Sequence, residues 1–208
     1  MSEHTVKIPP VGIYGDLMLP ARAHAVILFA DGSGRSRRNP ANRHVAGMLQ
    51  ERGLGTLLVD LLTEAEEEVD NRYDIALLAK RLGEATDWLQ RYSPIQGLRV
   101  GYFGSGGAAE AALVAAAERR TTVGAIVARG GRPDLVGTSL RHLKAPTLLI
   151  VGGEDKQLVE VNRKALYQMQ CEKELEIVEE PGALQQLSDF TLEWFRRHLG
   201  QSKAQRSA

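Results

Sequence analysis

The residues best spaced for chemistry lie in the run Gly104-Ser105-Gly106-Gly107-Ala108, between an apolar stretch and an alanine-rich one. A nucleophile on a sharp strand-to-helix turn needs small residues two positions before and two positions after it, because larger side chains clash in the strained turn. Gly106 meets this condition, whereas Ser105 has Phe103 two positions before it. The pattern therefore places the nucleophile position at Gly106, which has no side chain to react.

The same run fits the spacing G-x-G-x-x-A, with Gly104, Gly106 and Ala109. Such a turn binds anions through the free backbone N–H groups at the start of a helix. As a dinucleotide motif it is incomplete, because it follows the third predicted parallel strand and no acidic residue ends the next strand. A small-anion or nucleotide site at Gly104–Ala108 remains an alternative function.

Three acidic residues lie near predicted strand ends. Asp155 follows a buried apolar run, where it suits the N-cap of the next helix. Asp31 and Gly32 follow the first core run, where a hydrolase supplies an oxyanion donor and where a carboxylate would oppose developing negative charge. Glu110 suits the start of a helix, and it would act as a general base only if burial raised its pKa.

Two histidines are candidate bases. His44 lies in the first predicted helix, just after the Asp31 loop, and could face the same cleft, although a partly exposed structural histidine is the simpler interpretation. His198 is the one histidine after Asp155. His198 lies near the C-terminal end of the last helix, where a positively charged side chain stabilises the helix. This structural role is favoured over that of a catalytic base.

The elements that must position these residues follow from the alternation of apolar runs with helical periodicity. This alternation predicts βαβ units and a doubly wound, mainly parallel sheet, with ligands bound beyond the carboxyl ends of the strands. Residues 5–20 are predicted to form an antiparallel hairpin at the sheet edge, and Glu64–Asp70 an acidic loop. The predicted core strands are His24–Ala30, Gly55–Leu61, Leu98–Phe103, Thr122–Ala128, Thr147–Val151 and Glu174–Val178, and the predicted helices are Ala41–Arg52, Tyr73–Arg91, Ala108–Arg119, Leu158–Gln170 and Ala183–Leu199.

The composition excludes several classes of protein. The 26 basic and 26 acidic residues cancel, which leaves no basic excess for nucleic acid. No apolar window approaches membrane-spanning length, no signal peptide is visible, and Cys171 alone cannot form an intramolecular disulfide. We therefore expect a cytoplasmic protein with one domain over residues 1–200 and a disordered tail over 201–208. We expect no metal, no cofactor, and neither nucleic acid nor a membrane as partner; a small-molecule ester or anion is the expected ligand, and the oligomeric state stays open.

Residues 5–199 resemble the dienelactone-hydrolase-like branch of the α/β-hydrolases. The resemblance rests on the segments GDLMLP, LFADGSG, PANRHVAGML, TLLVDLLTEAEEE, VGYFG, AALVAAAE, RGGRPDL, APTLLIVGGEDKQLVEVNRKAL and EEPGAL. It implies an α/β-hydrolase fold without a large cap domain, and a Ser–Asp–His hydrolase of carboxylic esters or lactones. Asp155 matches the triad aspartate of that family.

At the other two triad positions the sequence differs from the pattern of the family. Gly106 stands where the family has its serine, and Val178 runs directly into EEPGAL, without the Gly-x-x-His loop. The resemblance and these departures together predict a dismantled triad in an engineered scaffold or a pseudoenzyme, with little family-type activity. The alternative within the enzyme class is a weak esterase that uses Ser105, with His44 or another group as base and the N–H groups of Gly106 and Gly107 as oxyanion donors.

Overall fold

The computed structural model describes residues 3–32, 36–68, 73–92 and 97–200. The predicted disordered tail 201–208, Ser33 and Gly34 of the glycine-rich loop and Asp70 of the acidic loop lie outside the described residues. No helix in the described ranges has both the length and the apolar character needed to cross a membrane.

The strands and helices alternate as the periodicity predicts. The strands are β1 (Glu3–Ile8), β2 (Ile13–Met18), β3 (Ala25–Asp31), β4 (Gly55–Val59), β5 (Arg99–Ser105), β6 (Val123–Arg129), β7 (Thr147–Gly152) and β8 (Lys173–Val178). The helices are α1 (Pro40–Glu51), α2 (Glu64–Glu68), α3 (Ile75–Arg91), α4 (Gly107–Glu118), α5 (Ser139–His142), α6 (Lys156–Gln168) and α7 (Ala183–Leu199). Short 3-10 turns cover Ser36–Arg38 and Pro133–Val136.

The described strands form one sheet in the order β1-β2-β4-β3-β5-β6-β7-β8. The β1–β2 hairpin is antiparallel, as predicted, and β2 pairs antiparallel with β4, while the pairs from β4 through β8 are parallel. This topology confirms the predicted doubly wound sheet and the α/β-hydrolase fold without a large cap domain. It brings the ends of β3, β5 and β6 side by side, because Asp31 pairs with Ser105 and Ser105 with Arg129.

The sheet has an apolar layer on each face, which is why its central strands are apolar throughout. Along β3, Ala25, Ile27 and Phe29 pack on one face with residues of α1 and α7. Val26, Leu28 and Ala30 pack on the other face with residues of α3, α4 and α6. This period-two alternation within a continuous apolar run holds the strand ends at fixed positions beneath the connecting loops.

Two local predictions are corrected. The fourth strand ends at Val59 rather than Leu61, because its residue pairing with β2 stops at Val59. The Asp60 N–H still donates to the Tyr14 carbonyl of β2 at 2.9 Å, and the Asp60 carboxylate accepts a hydrogen bond from the Arg37 N–H at 3.1 Å. The segment predicted as an acidic loop contains the helix α2, which a capping box begins: Glu66 accepts from the Thr63 N–H at 2.9 Å, and the Thr63 hydroxyl accepts from the Glu66 N–H at 3.3 Å. The T-x-x-E spacing was the sequence signal for that helix.

Candidate active site

The turn between β5 and α4 has Gly106 at its tip. Its φ and ψ are 56° and −136°, a combination that is costly for residues with a side chain. The Gly106 N–H donates to the Arg129 carbonyl at 3.0 Å, and its carbonyl accepts from the Ala109 N–H at 2.9 Å. A Cβ built on Gly106 meets no atom within 4 Å. The tip is therefore held by backbone hydrogen bonds and opens into free space.

The neighbours of this tip are small because backbone lies against them. A Cβ on Gly104 would stand 2.5 Å from the Ala108 carbonyl oxygen and 2.9 Å from the Ala109 Cα. A Cβ on Gly32 would collide with the Gly107 nitrogen, and the Gly32 N–H donates to the Ser105 carbonyl at 2.9 Å. Gly32, directly after β3, thus packs on the start of α4, where the sequence predicts the oxyanion donors.

Ser105 is the last residue of β5 and is buried. Its hydroxyl donates to Asp31 Oδ2 at 2.7 Å, and the same oxygen accepts from Asn39 Nδ2 at 2.9 Å. Asn39 also caps α1, since its side-chain oxygen accepts from the N–H groups of Ala41 and Asn42. Asp31 and Ser105 therefore join the end of β3, the end of β5 and the first turn of α1 in one polar cluster.

Asp155 lies at the same edge of the sheet, in the connection from β7 to α6. It is the N-cap of α6, with its carboxylate accepting from the Leu158 N–H at 2.8 Å, and it is exposed. No imidazole lies within hydrogen-bond distance of Asp155 among the residues that the structure describes. In this structure, its side chain caps a helix.

The histidines lie elsewhere. His44 is exposed on α1, and Ser105 donates to Asp31 and the Ala30 carbonyl rather than to an imidazole. The His198 ring lies against the Trp194 ring in a tilted arrangement, with 4.3 Å between ring centroids, and burial lowers the pKa of His198. The connection between β8 and α7 consists of the four residues Glu179–Gly182, which include no histidine.

Glu110 is a buried acid in the first turn of α4. Its Oε1 accepts a hydrogen bond from the Arg132 N–H, and its Oε2 is buried without a partner in the part of the chain that is described. Burial raises the pKa of this carboxyl, and the neighbouring Asp134 adds to the rise. The sequence predicts that Glu110 lies on the helix, but it does not show how deeply the side chain is buried. The raised pKa could therefore not be predicted from the sequence.

Comparison with solved structures gives the family. The dienelactone hydrolase from Anabaena variabilis is 50% identical to this chain, with 95% of this chain and 98% of that chain covered and a TM-score of 0.92. This chain belongs to the dienelactone hydrolase family. Est1E from Butyrivibrio proteoclasticus, at 12% identity and a TM-score of 0.79, shares the fold, with 95% of this chain and 99% of that chain covered. Carboxyl esterase 2 from Tuber melanosporum, at 15% identity and a TM-score of 0.74, also shares it, with 95% and 87% covered.

Two curated relatives are longer proteins. They come from Mycobacterium tuberculosis strains H37Rv and CDC 1551, are named provisionally as phosphoribosyl transferases, and are 46% identical over 205 residues. The match covers 95% of this chain and 46% of each relative, so the chain spans about half the length of the curated relatives it matches. No protein-family model matches the chain.

In this member of the dienelactone hydrolase family, the predicted site residues fall into two groups according to their position in the fold. Asp31, Gly32, Gly104, Ser105, Gly106 and Gly107 meet at the ends of β3 and β5. Asp155 lies beyond β7, two strands from β5, and His44 is on the exposed side of α1. The hydrogen bond between Ser105 and Asp31 was missed because nothing in the sequence gives the register of two strands that are 74 residues apart. No group of three or more metal-binding side chains occurs in the described residues.

Proposed function

We propose that this chain is a dienelactone hydrolase family protein without the family's hydrolytic triad, and that it does not turn over esters or lactones at a useful rate. The observation that carries the proposal is Gly106 at the tip of the turn, with the strained backbone and the open space that suit a nucleophile but no side chain. A hydrolase of this kind needs a nucleophile with an adjacent base.

The acid and base positions support the same conclusion. Asp155 directs its carboxylate to the Leu158 N–H at 2.8 Å, where it stabilises α6. The short connection after Val178 has no histidine to receive a proton. A triad works as a unit, so the loss of the nucleophile and the base together leaves the aspartate no catalytic role.

The electrostatics of the loop after β3 also oppose ester hydrolysis. An oxyanion needs hydrogen-bond donors, and a nearby carboxylate raises the energy of the negatively charged intermediate. Asp31 is buried beside this turn and accepts hydrogen bonds from Ser105 and Asn39. The same argument disfavours a small anion or a nucleotide at Gly104–Ala108, because the Asp31 and Glu110 carboxylates flank that helix start and the Gly106 N–H is already paired.

The esterase alternative depends on Ser105. Its hydroxyl is buried and its acceptors are oxygens of Asp31 and Ala30, so a substrate carbonyl has no open approach to it. The provisional transferase name belongs to proteins about twice as long, and nothing in the geometry of the turn favours phosphoribosyl transfer by this chain.

Hydrolysis of p-nitrophenyl acetate and of a small enol lactone tests the proposal. Three proteins should be compared: the parent, Ser105→Ala, and the matched control Ser188→Ala, which removes another buried hydroxyl, one that donates to the Leu184 carbonyl at 2.8 Å. We expect all three to match the buffer rate. Activity lost only in Ser105→Ala would establish the Ser105 esterase instead. Equal activity in all three would reveal a different nucleophile. Either result overturns the proposal.

A further inference from the structure

A second candidate site lies at the edge of the sheet, in a groove of about 500 Å³. Its walls come from the β1–β2 hairpin, the 3-10 turn Ser36–Arg38, the end of β4 and helix α2. We call it the hairpin groove and define it by Lys7, Tyr14, Arg37, Arg38, Asp60 and Glu64. No residue of the Gly104–Ala108 turn lines it, and its volume lies within the range of small-molecule sites, about 300–1,000 Å³.

The groove presents an aromatic ring that the fold leaves half exposed. Tyr14 is 48% exposed, and Val11 beside it is 41% exposed. Lys7 is the cross-strand partner of Tyr14, and its ammonium lies 5.9 Å from the ring centroid. The Arg37 guanidinium lies 5.8 Å from the same centroid. A half-exposed aromatic ring is a surface on which a planar ligand group can stack.

Arg37 connects the segments that form one wall of the groove, but its positive charge is already paired. Its guanidinium pairs with Asp16 at 3.0 Å and with Asp60 at 3.5 Å, and its backbone N–H donates to Asp60 at 3.1 Å. Two carboxylates therefore compensate its charge. The Tyr14 carbonyl in turn accepts from the Asp60 N–H at 2.9 Å, so the hairpin, the 3-10 turn and the end of β4 form one connected wall.

Lys7 and Arg38 are the cations of the groove that form no ion pair with a described residue, although Asp60, Glu64 and Glu67 also line it. Neither has a carboxylate within 4 Å among the residues that the structure describes, and both side chains are exposed. Two free positive charges match the charge of one phosphate monoester, about −1.5 to −2 at neutral pH. Glu64, on α2, has no basic partner in the described ranges and is available to accept hydrogen bonds from hydroxyl groups, as acidic residues do from ribose.

We propose that the hairpin groove binds a nucleoside monophosphate, with its phosphate between Lys7 and Arg38, its base against the Tyr14 ring and its ribose hydroxyls toward Glu64. The three kinds of group that such a ligand needs occur together in this cavity. The site is independent of the triad, so it neither requires nor excludes hydrolysis at the turn.

Isothermal titration with AMP and UMP tests the site, with inorganic phosphate and adenosine as the two part-ligands. The variants are Lys7→Gln with Arg38→Gln, Tyr14→Leu, and Tyr14→Phe, which keeps the ring. The matched control is Arg141→Gln with Lys164→Gln, which removes two exposed cations on α5 and α6. Circular dichroism melting of each variant establishes that it is folded.

We expect both monophosphates to bind at least about tenfold more tightly than phosphate or adenosine, because both halves of the ligand contribute. The Lys7/Arg38 double variant should weaken binding about tenfold or more, since charge-assisted hydrogen bonds are lost, and Tyr14→Leu should weaken it about tenfold, through loss of stacking. Tyr14→Phe and the control should bind like the parent. Absence of saturable binding, phosphate as tight as AMP, or an equal loss in the control double variant would overturn the proposal.

Discussion

The turn at Gly106 and the hairpin groove differ in how their polar groups are used. At the turn, Ser105 donates to Asp31, Asn39 shares the same carboxylate, and the Gly106 N–H is bonded to the Arg129 carbonyl. In the groove, Lys7 and Arg38 have no carboxylate partner among the described residues. The polar groups of the turn are therefore paired within the protein, whereas two cations of the groove form no ion pair among the described residues.

This difference shows that the backbone geometry of a site and the reactivity of its side chains depend on different interactions. The backbone at Gly104 and Gly106 is held by close packing and by hydrogen bonds within the sheet. Neither of these depends on a reactive side chain at position 106. Fold similarity alone therefore does not establish activity.

Adding a serine and a histidine at the proposed triad positions should give the largest effect. We expect Gly106→Ser combined with a Gly-x-x-His segment inserted after Val178 to raise kcat/KM on p-nitrophenyl acetate at least about 10²-fold over either single change, because a serine needs its base. If Gly106→Ser alone equals the double variant, another base is present, and His44→Ala would test the first candidate. A folded double variant that is no better than the parent would show that the assigned positions are wrong.

The close packing at the turn can be tested at Gly104. The added Cβ of Gly104→Ala would stand 2.5 Å from the Ala108 carbonyl oxygen and 2.9 Å from the Ala109 Cα, both backbone atoms that cannot rotate away. We expect a loss of about 2–3 kcal/mol in the free energy of unfolding, measured by urea denaturation. The control is Gly152→Ala, where a Cβ meets nothing within 4 Å. A similar loss in both variants would contradict the packing argument.

The role of Asp155 as a cap gives a smaller effect. Asp155→Ala should lower the free energy of unfolding by about 1 kcal/mol, because the Leu158 N–H loses its acceptor. Asparagine is an equally good cap, so Asp155→Asn should stay close to the parent. If both variants were neutral in denaturation, the hydrogen bond would not stabilise α6, and a different role for Asp155 would have to be considered.

The buried carboxyl of Glu110 predicts a pH dependence. Burial raises its pKa above the ordinary 4.5, so the folded state holds this proton more tightly than the unfolded state, and ionisation opposes folding as the pH rises. Glu110→Gln keeps an oxygen for the Arg132 N–H and never ionises. We expect it to be more stable than the parent at pH 7, with the difference shrinking as the pH falls through the raised pKa of Glu110 and levelling off below about pH 4.5, where the carboxyl is protonated in both the folded and the unfolded state. A difference that does not change with pH would contradict this.

The groove should give the smallest effect on stability. Lys7→Gln, Arg38→Gln and Tyr14→Leu alter exposed or half-exposed side chains, and each should change the free energy of unfolding by no more than about 0.5 kcal/mol. Differential scanning calorimetry measures this directly. A large loss of unfolding free energy in any of the three variants would mean that the side chain stabilises the hairpin. That result would contradict the contrast drawn with the tightly packed turn.

Much of the fold could be predicted because its signals are local. The apolar run from Ala25 to Ala30 could only be a strand buried on both faces, and the final helix Ala183–Leu199 has the predicted boundaries. The glycines around position 106 indicated the turn, because only small residues tolerate that backbone. The capping box at Thr63 is an equally local signal. The prediction of a loop there rested on the acidic composition of the segment and did not take the capping box into account.

The sequence by itself determined the order of the elements, the location of the turn and the absence of a side chain at Gly106, since periodicity, residue size and identity are properties of neighbouring residues. Only the tertiary structure decided that Ser105 bonds to Asp31, that Glu110 is buried with an unpaired oxygen, and that Lys7, Tyr14 and Arg38 share one groove. These facts depend on strand register and on the packing of distant segments. Those are set by the burial of the whole apolar surface at once, and no single stretch of the chain encodes them.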